Sequence, residues 1–202
     1  MFITAISKRG STGTGFTVRL SDGSSFFVSK IFTDQNNLSK DQIINEDLLE
    51  KLEIESQSIQ ALIKAADLIA RAEQSSGGLY RKLKKKGFPD YVCSYAVDKV
   101  KSANLLNDYR FSEMWIFSRL RSHPEGKMKL YAGLISRGVP SEKAQAALNN
   151  CLSEDDLQIS VMKAGKKIMG KYEISDQKFH KALYRRGFSS REIKYFLENI
   201  EV

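Results

Sequence analysis

The sequence predicts a mostly α-helical protein, in which three tandem three-helix repeats follow a small N-terminal β-hairpin element. The first observation behind this prediction is a segment that occurs three times, as LYRKLKKKGFP (79–89), LYAGLISRGVP (130–140) and FHKALYRRGFS (179–189). Its glycines, Gly87, Gly138 and Gly187, recur about every fifty residues, which is typical of stacked copies of one motif. The second observation is that apolar and polar residues alternate over residues 16–20, ahead of the first repeat.

The N-terminal element, with some short helices, is predicted to occupy residues 1–56. The alternating residues 16–20, the turn pair Asp22-Gly23 and the apolar residues 26–28 predict a β-hairpin, to which residues 2–6 add a possible third strand. Gly10, Gly13 and Gly15 lie in a Ser/Thr-rich stretch between these strands. Because their spacing matches neither of the phosphate-binding glycine motifs, we interpret the stretch as a plain loop.

Residues 36–56 combine a polar turn with apolar residues at short helical spacing. The same segment carries a run of carboxylates, namely Glu46, Asp47, Glu50, Glu53 and Glu55. Paired carboxylates occur in acid–base catalysts and metal sites, but a run of charge along a helix far more often faces solvent. We therefore interpret this segment as a solvated helix that joins the β element to the repeats.

The repeats are predicted to span residues 57–104, 105–152 and 153–202, each with a long first helix, a middle helix and a third helix. The middle helix is the recurring segment and is called the cassette helix below. Its two apolar residues, four positions apart, share one face, and its glycine ends the helix because glycine adopts the left-handed conformation without strain. Lys86, Arg137 and Arg186 precede the glycines, where a cation is favoured by the helix dipole. The predicted start signals of other helices are Asn107 or Asp108, Pro124, the capping-box pair Ser153 and Asp156, and the pair Ser189 and Glu192.

The net charge of +8 is unevenly distributed along the chain. Residues 1–58 carry 6 basic and 8 acidic side chains, whereas residues 59–202 carry 26 and 16. Such an excess attracts a polyanion, chiefly nucleic acid, or an acidic protein surface, although a helical protein with lysine-rich solvated faces has the same composition. The basic residues that cluster on or beside the cassette helices form the candidate contact surface: Arg81, Lys82, Lys84, Lys85, Lys86, Arg119, Arg121, Lys127, Lys129, Arg137, Arg185 and Arg186.

Residues suited to catalysis or metal binding are sparse. Cys93 and Cys151 fall on apolar faces of third helices, and His123 and His180 are isolated, so no catalytic residue, metal site or cofactor is predicted. Trp115 lies in an apolar run, where core packing is expected and an exposed anchor for a partner is the alternative. The cassette helices lack the Asn, Gln and Arg mixture that recognises base edges, so sequence-specific DNA binding is only weakly supported.

Three segments together match a known pattern: AEQSSGGLYRKLKKKGFP (72–89), LLNDYRFSE (105–113) and PEGKMKLYAGLISRGVP (124–140). The middle segment contains a Leu-Leu-Asn/Asp-Asp-x-Arg-Phe junction, here residues 105–111. Through these segments the chain resembles the RecX family, bacterial regulators of the RecA recombinase, over nearly its whole length. It departs from the family at Gly78, where members often have an acidic residue, and glycine is expected to weaken the start of that helix.

The resemblance implies a non-enzymatic regulator that binds the RecA–DNA filament along its groove and inhibits ATP hydrolysis and strand exchange. DNA repair, homologous recombination and the SOS response are the implied processes, and single- and double-stranded DNA are expected as nonspecific partners. We expect the chain to act in the cytoplasm without a membrane, because no signal peptide or membrane span is evident. A monomer is expected because a capped array of three repeats has no need to dimerise. The alternative is an independent nonspecific DNA-binding helical protein, whose binding is lost as salt rises.

Overall fold

A three-stranded antiparallel sheet forms the N-terminal part of the chain, with strands β1 (Ile3–Arg9), β2 (Gly15–Leu20) and β3 (Ser25–Ser29) in that order. The computed structural model describes residues 1–9 and 15–200, so the predicted loop around Gly10 and Gly13 lies outside the described residues. Residue 18 of the central strand lies opposite residue 6 of β1 and residue 26 of β3. The predicted hairpin and its third strand are confirmed.

Helices α1 (Lys30–Gln35) and α2 (Glu46–Arg71) follow the sheet. α2 is one helix of 26 residues, where the sequence predicted a short helix and then a separate long one. Ser56 interrupts the apolar pattern at that point, but it is buried and its hydroxyl accepts a hydrogen bond from the Phe27 N–H of β3 at 3.1 Å. One turn earlier, Leu52 is fully buried in the same core as the sheet residues. The polar residue therefore fastens α2 to the sheet instead of ending the helix.

Eight further helices complete the described part of the chain. They are α3 (Ser76–Lys84), α4 (Asp90–Ser102), α5 (Asp108–Ser122), α6 (Lys127–Ser136), α7 (Ser141–Cys151), α8 (Glu154–Met169), α9 (Gln177–Arg185) and α10 (Ser190–Asn199). The chain divides into two compact units, one of Met1–Ala72 with Leu79–Leu105, and one of Glu73–Gly78 with the residues from Leu106 onward. The sequence predicted segment boundaries after residues 56, 104 and 152, and α2 crosses the first of them.

The three cassette helices, α3, α6 and α9, end just before the predicted glycines. Gly87, Gly138 and Gly187 have φ angles of +91°, +84° and +85°, in the left-handed region that favours glycine. After α6, the Val139 N–H donates to the Leu134 carbonyl at 3.1 Å, and α9 ends with the equivalent bond. These bonds satisfy carbonyls that a helix end leaves unpaired, and they bring the apolar residue after the glycine into the core.

Most of the helix starts follow the predicted signals. Asn107 caps α5, and complete capping boxes open α8 and α10. The prediction for Pro124 is wrong, because α6 begins at Lys127 and has Gly126 as its N-cap residue. Gly126 is held by a contact with the following repeat, described below, and this contact sets where the helix begins.

The two helix trios after residue 106 each enclose a core. Leu130 of α6 is fully buried with Leu148 of α7, and Phe179 of α9 is fully buried with Phe196 of α10, at 5.5 Å between ring centres. Fully burying a side chain of this size stabilises a fold by about 1.5–3 kcal/mol. The apolar positions that define the cassette in the sequence are therefore the central positions of these cores.

A tyrosine of each cassette helix also bonds the first residue of the helix that follows. The pairs are Tyr80 with Asp90, Tyr131 with Ser141 and Tyr184 with Ser190. In the third repeat the tyrosine lies one turn later in the helix, because His180 occupies the position of the other two tyrosines. Each bond thus joins the second helix of a repeat to the first residue of its third helix.

Candidate functional site

The junction residues 105–111 hold the start of the first cassette helix. Asp108 is charged but only 4% exposed. Its carboxylate accepts hydrogen bonds from the N–H and the hydroxyl of Ser76, both at 2.7 Å, and so caps the N-terminus of α3 from the first turn of α5. Arg110 forms an ion pair with Glu73 at 2.8 Å. The residue types of this junction are therefore explained by contacts that join segment 73–78 to the second repeat.

Two glycines allow neighbouring repeats to touch through their backbones. At the start of one cassette helix the Gly77 N–H donates to the Gly138 carbonyl at 3.0 Å, and at the start of the next the Gly126 N–H donates to the Arg186 carbonyl at 2.9 Å. A Cβ atom added to Gly126 would lie 2.2 Å from the Gly187 carbonyl oxygen, closer than real Cβ contacts. In both cases the start of a cassette helix packs on the glycine turn of the following repeat.

Gly78, which was expected to weaken the start of α3, belongs to the same close contact. Its N–H donates to the Ser75 hydroxyl at 3.0 Å, and that hydroxyl donates to the Arg137 carbonyl at 2.6 Å. α3 begins two residues earlier, at Ser76. Because a Cβ at Gly78 would lie 2.6 Å from the Ser75 hydroxyl oxygen, the space here suits glycine better than the acidic residue common in the family.

A small cleft between α5 and α6 is lined by three of the predicted basic residues. Arg119, Lys129 and Arg137 line a cleft of about 310 Å³ together with the half-buried ring of Trp115. The guanidinium carbon of Arg137 lies 4.5 Å from the centre of the Trp115 ring, and that of Arg119 lies 5.8 Å from it. Both distances are within the range of cation–π attraction. The edge of the ring packs on Gly133, where a Cβ would lie 2.4 Å from the ring.

Both arginines of this cleft are held in place by further hydrogen bonds. The Nε and Nη2 atoms of Arg119 donate to the two carboxylate oxygens of Glu125 at 3.1 and 2.6 Å. Nη1 of Arg137 donates to the Gly133 carbonyl at 2.9 Å. The lining residues carry three positive charges and one negative charge, so the cleft holds an excess of positive charge, and both of its arginines are held by hydrogen bonds.

The basic residues of the first cassette form a separate, exposed group. They are Arg81, Lys82, Lys84, Lys85 and Lys86, all on α3 or its C-terminal turn. Lys84 pairs with Asp90 at 2.9 Å, and Tyr80 donates a hydrogen bond to the same carboxylate. The pKa of Asp90 is below its ordinary value, mainly because of the hydrogen bond from Tyr80 and secondly because of Lys84. The same hydrogen bond raises the pKa of Tyr80 to about 12. Lys84 therefore serves the packing of α4 as well as the surface charge.

The remaining predicted basic residues have diverse surroundings. Arg121 and Arg185 are exposed, and Lys127 donates to the Asn149 side chain at 2.9 Å. Arg186 is half-buried, and its backbone carbonyl accepts the hydrogen bond from the start of α6. Of the predicted residues in the second unit, the structure thus places three in one cleft and leaves the others dispersed over the surface.

The sequence did not predict that Trp115 lines this cleft beside the basic residues. Trp115 was expected in the core; it does pack against the core of the second repeat, but its ring also lines the cleft. The spacing of four residues between Trp115 and Arg119 on one helix was the available signal. Glu125 and Gly133 gave no such signal, because they lie outside α5 and reach Trp115 and Arg119 only in the folded chain.

In the part of the chain that the structure describes, the side chains suited to catalysis or metal binding lie apart from one another. Within residues 1–9 and 15–200, no three His, Cys, Asp or Glu side chains are arranged to hold a metal ion. Burial raises the pKa of the Cys93 thiol, which disfavours the reactive thiolate. Cys151 lies 3.5 Å from the Tyr109 hydroxyl in the second repeat. In the described part of the chain, no helix combines the length and apolar character needed to cross a membrane.

Comparison with known proteins identifies the family. The sequence model of the second three-helix domain of RecX matches residues 107–148. A "Regulatory protein RecX" from Prosthecochloris aestuarii is 31% identical over 146 residues, which cover 72% of this chain and 97% of that protein. This chain belongs to the RecX family. A RecX relative from Clostridium perfringens is 30% identical over 153 residues, covering 75% of this chain and 71% of the relative.

Solved structures of RecX proteins share the fold. A crystal structure of regulatory protein RecX superposes with a TM-score of 0.78 over 98% of this chain and 99% of that one, at 17% identity. RecX from Lactobacillus salivarius superposes with a TM-score of 0.62 over 70% of this chain and 95% of the other, at 16% identity. The predicted fold class, helical repeats after a small β element, is confirmed.

Proposed function

We propose that this RecX-family chain regulates RecA by binding the RecA–DNA filament and lowering its ATP hydrolysis and strand exchange. The processes affected are DNA repair, homologous recombination and the SOS response. We propose that the chain acts in the cytoplasm as a monomer, without enzymatic activity of its own. The observation that carries the proposal is the match to relatives named regulatory protein RecX over most of both chains.

The predicted basic residues on or beside the cassette helices are the proposed contact surface. Lys82, Lys85 and Lys86 are exposed on the first cassette, and the cleft around Trp115 offers two arginines held by hydrogen bonds in the second unit. Lysines contact phosphates without distinguishing sequence, which suits the nonspecific DNA contact that is proposed. Regulation by binding needs such a surface and no reactive group.

The test is ATP hydrolysis by RecA on single-stranded DNA, titrated with this protein at fixed moderate salt. We expect inhibition well below the amount of protein needed to coat the DNA. Charge reversal of Lys82, Lys85 and Lys86 to Glu should weaken inhibition; Lys84 is kept because it pairs with Asp90. A matched control reverses three exposed lysines of α8, Lys163, Lys166 and Lys167. No inhibition until the DNA is saturated contradicts the proposal.

The second candidate is an independent nonspecific binder of single- and double-stranded DNA, favoured by the basic excess of residues 59–202. Its affinity measured without RecA should fall by orders of magnitude between low and moderate salt, because each phosphate contact releases a counterion. A filament regulator retains protein–protein contacts in the same salt range. The salt dependence of binding with and without RecA therefore separates the two candidates.

A further inference from the structure

We propose that the cleft around Trp115 binds one nucleotide unit of single-stranded nucleic acid, with the base stacked on the Arg137 guanidinium and a phosphate beside Lys129. The proposal deepens the DNA contact named above and rests on it, but it requires no contact with RecA. It assigns to α5 and α6 a site of defined chemistry, where the sequence indicated only scattered positive charge.

The first argument is the ordered plane of Arg137. The guanidinium lies over the Trp115 ring at 4.5 Å, and its Nη1 atom is fixed by the Gly133 carbonyl at 2.9 Å. The residue is nevertheless exposed, so part of this side chain remains open to solvent above the ring. Unstacked bases bind on such planes, whether aromatic or guanidinium, and a plane that is already ordered loses little entropy on binding.

The second argument is the charge beside this plane. Glu125 neutralises Arg119 by filling its Nε and Nη2 edge, whereas Lys129 is exposed and, within residues 1–9 and 15–200, forms no ion pair. A compact ammonium near a flat cation matches a phosphate next to its base. An acidic protein segment also matches the charge, but a carboxylate uses the edges of a guanidinium and leaves its face bare. The geometry therefore favours a nucleotide.

The third argument concerns the strand state of the ligand. A base inside a duplex is stacked on both faces and cannot enter a cleft to lie on a guanidinium, whereas a base of a single strand is free to do so. Stacking engages the face that every base has, so the site should accept single strands of different sequence. The site thus predicts a preference for single strands that charge alone does not give.

Trp115 is the single tryptophan of the chain, so its fluorescence reports on this cleft. The full chain, without RecA, is titrated with a short oligothymidylate while Trp115 emission and the anisotropy of a labelled oligonucleotide are followed. We expect oligothymidylate to quench Trp115 emission saturably, with the same midpoint as the anisotropy curve. The duplex of oligothymidylate with oligoadenylate should quench the emission little. Unchanged emission at saturating oligothymidylate overturns the proposal. Quenching by polyglutamate in its place also does so, because it identifies an acidic protein partner.

Arg137→Lys keeps the charge and removes the plane. We expect it to weaken oligothymidylate binding about tenfold, as loss of one stacked base does, with an unchanged salt dependence. Arg19→Lys, at an exposed arginine of β2 outside the proposed contact surface, is the control and should change binding by less than about twofold. Equal affinity of Arg137→Lys and the unmodified chain overturns the proposal. If Arg137→Lys lowers the thermal midpoint, the Trp115 emission of the unmodified chain decides alone. Because RecA is absent, the outcome is independent of whether the chain inhibits RecA.

Discussion

At the residue scale, Asp90 shows how one exposed carboxylate joins two helices. It is the first residue of α4, where a negative charge is favoured by the helix dipole, and it accepts a hydrogen bond from Tyr80 of α3. Lys84, also on α3, pairs with it at 2.9 Å. The equivalent positions of the other repeats are Ser141 and Ser190, which make the tyrosine bond without a charge. The pair in the first repeat is therefore sensitive to pH.

We expect the Tyr80–Asp90 bond to stabilise the folded chain only between a lower and an upper pH limit. The pKa of Asp90 is below its ordinary value of 3.8, so its contribution is present above pH 3.8 and is lost as the pH falls through the lowered pKa. The pKa of Tyr80 is raised from 10.0 to about 12, so its contribution is present below pH 10 and is lost as the pH rises through about 12.

Tyr80→Phe tests this bond directly. It should move the pKa of Asp90 up towards 3.8, because the largest cause of the lowered value is removed while Lys84 remains. The measurement is a carboxyl carbon-13 NMR titration of Asp90. Tyr131→Phe, which removes the uncharged version of the bond in the second repeat, should leave the Asp90 titration unchanged. An Asp90 pKa that is equal in Tyr80→Phe and the unmodified chain contradicts this interpretation.

At the element scale, each glycine turn has two roles in the second unit. The turns at Gly138 and Gly187 end α6 and α9, and the same turns receive backbone hydrogen bonds from Gly77 and Gly126 of the preceding repeat. α9 begins at Gln177, is capped by the Asp176 side chain, which accepts a hydrogen bond from the Lys178 N–H, and has no glycine in its first turn. In α3 and α6 a glycine at the helix start makes a backbone contact with a glycine turn, whereas in α9 a side-chain cap occupies the helix start.

Gly126→Ala should destabilise the second unit. The added Cβ would lie 2.2 Å from the Gly187 carbonyl oxygen, so the two backbones must move apart, at a cost of about 1–3 kcal/mol in the free energy of unfolding. Gly170→Ala is the control, because nothing lies within 4 Å of its Cβ position and its φ of −66° suits alanine. Urea denaturation followed by circular dichroism measures both variants. Equal denaturation midpoints for the two would refute the role assigned to this contact.

The features that the sequence predicted are those encoded locally. The glycine stops and the capping box at Ser153 depend on neighbouring residues, and they could be recognised from spacing. The continuity of α2 could not, because Ser56 is satisfied by an N–H of a distant strand. The same holds for the cleft: its basic residues were identified singly, but Trp115 and Arg137 meet only when α5 packs on α6.

At the scale of the whole molecule, charge is divided by segment. Residues 1–58 carry more acidic than basic side chains, among them the exposed Glu50 and Glu53 of α2, while the basic excess lies in residues 59–202. Salt screens exposed charges beyond about 8 Å at physiological ionic strength. Affinity for DNA should therefore depend on which cations touch phosphates, and much less on the total charge of the chain.

Two double variants test whether individual phosphate contacts or the total charge of the chain governs affinity for DNA, since they change the net charge by the same amount in opposite directions. Lys85→Gln with Lys86→Gln should reduce the slope of log K against log salt by about 2, one for each lost phosphate contact. Glu50→Gln with Glu53→Gln should leave that slope unchanged and alter affinity less than about twofold at physiological salt. The measurement is anisotropy of labelled DNA over a series of salt concentrations. Equal and opposite changes would mean that the overall field governs binding, and the contact surface proposed on α3 would then lose its support.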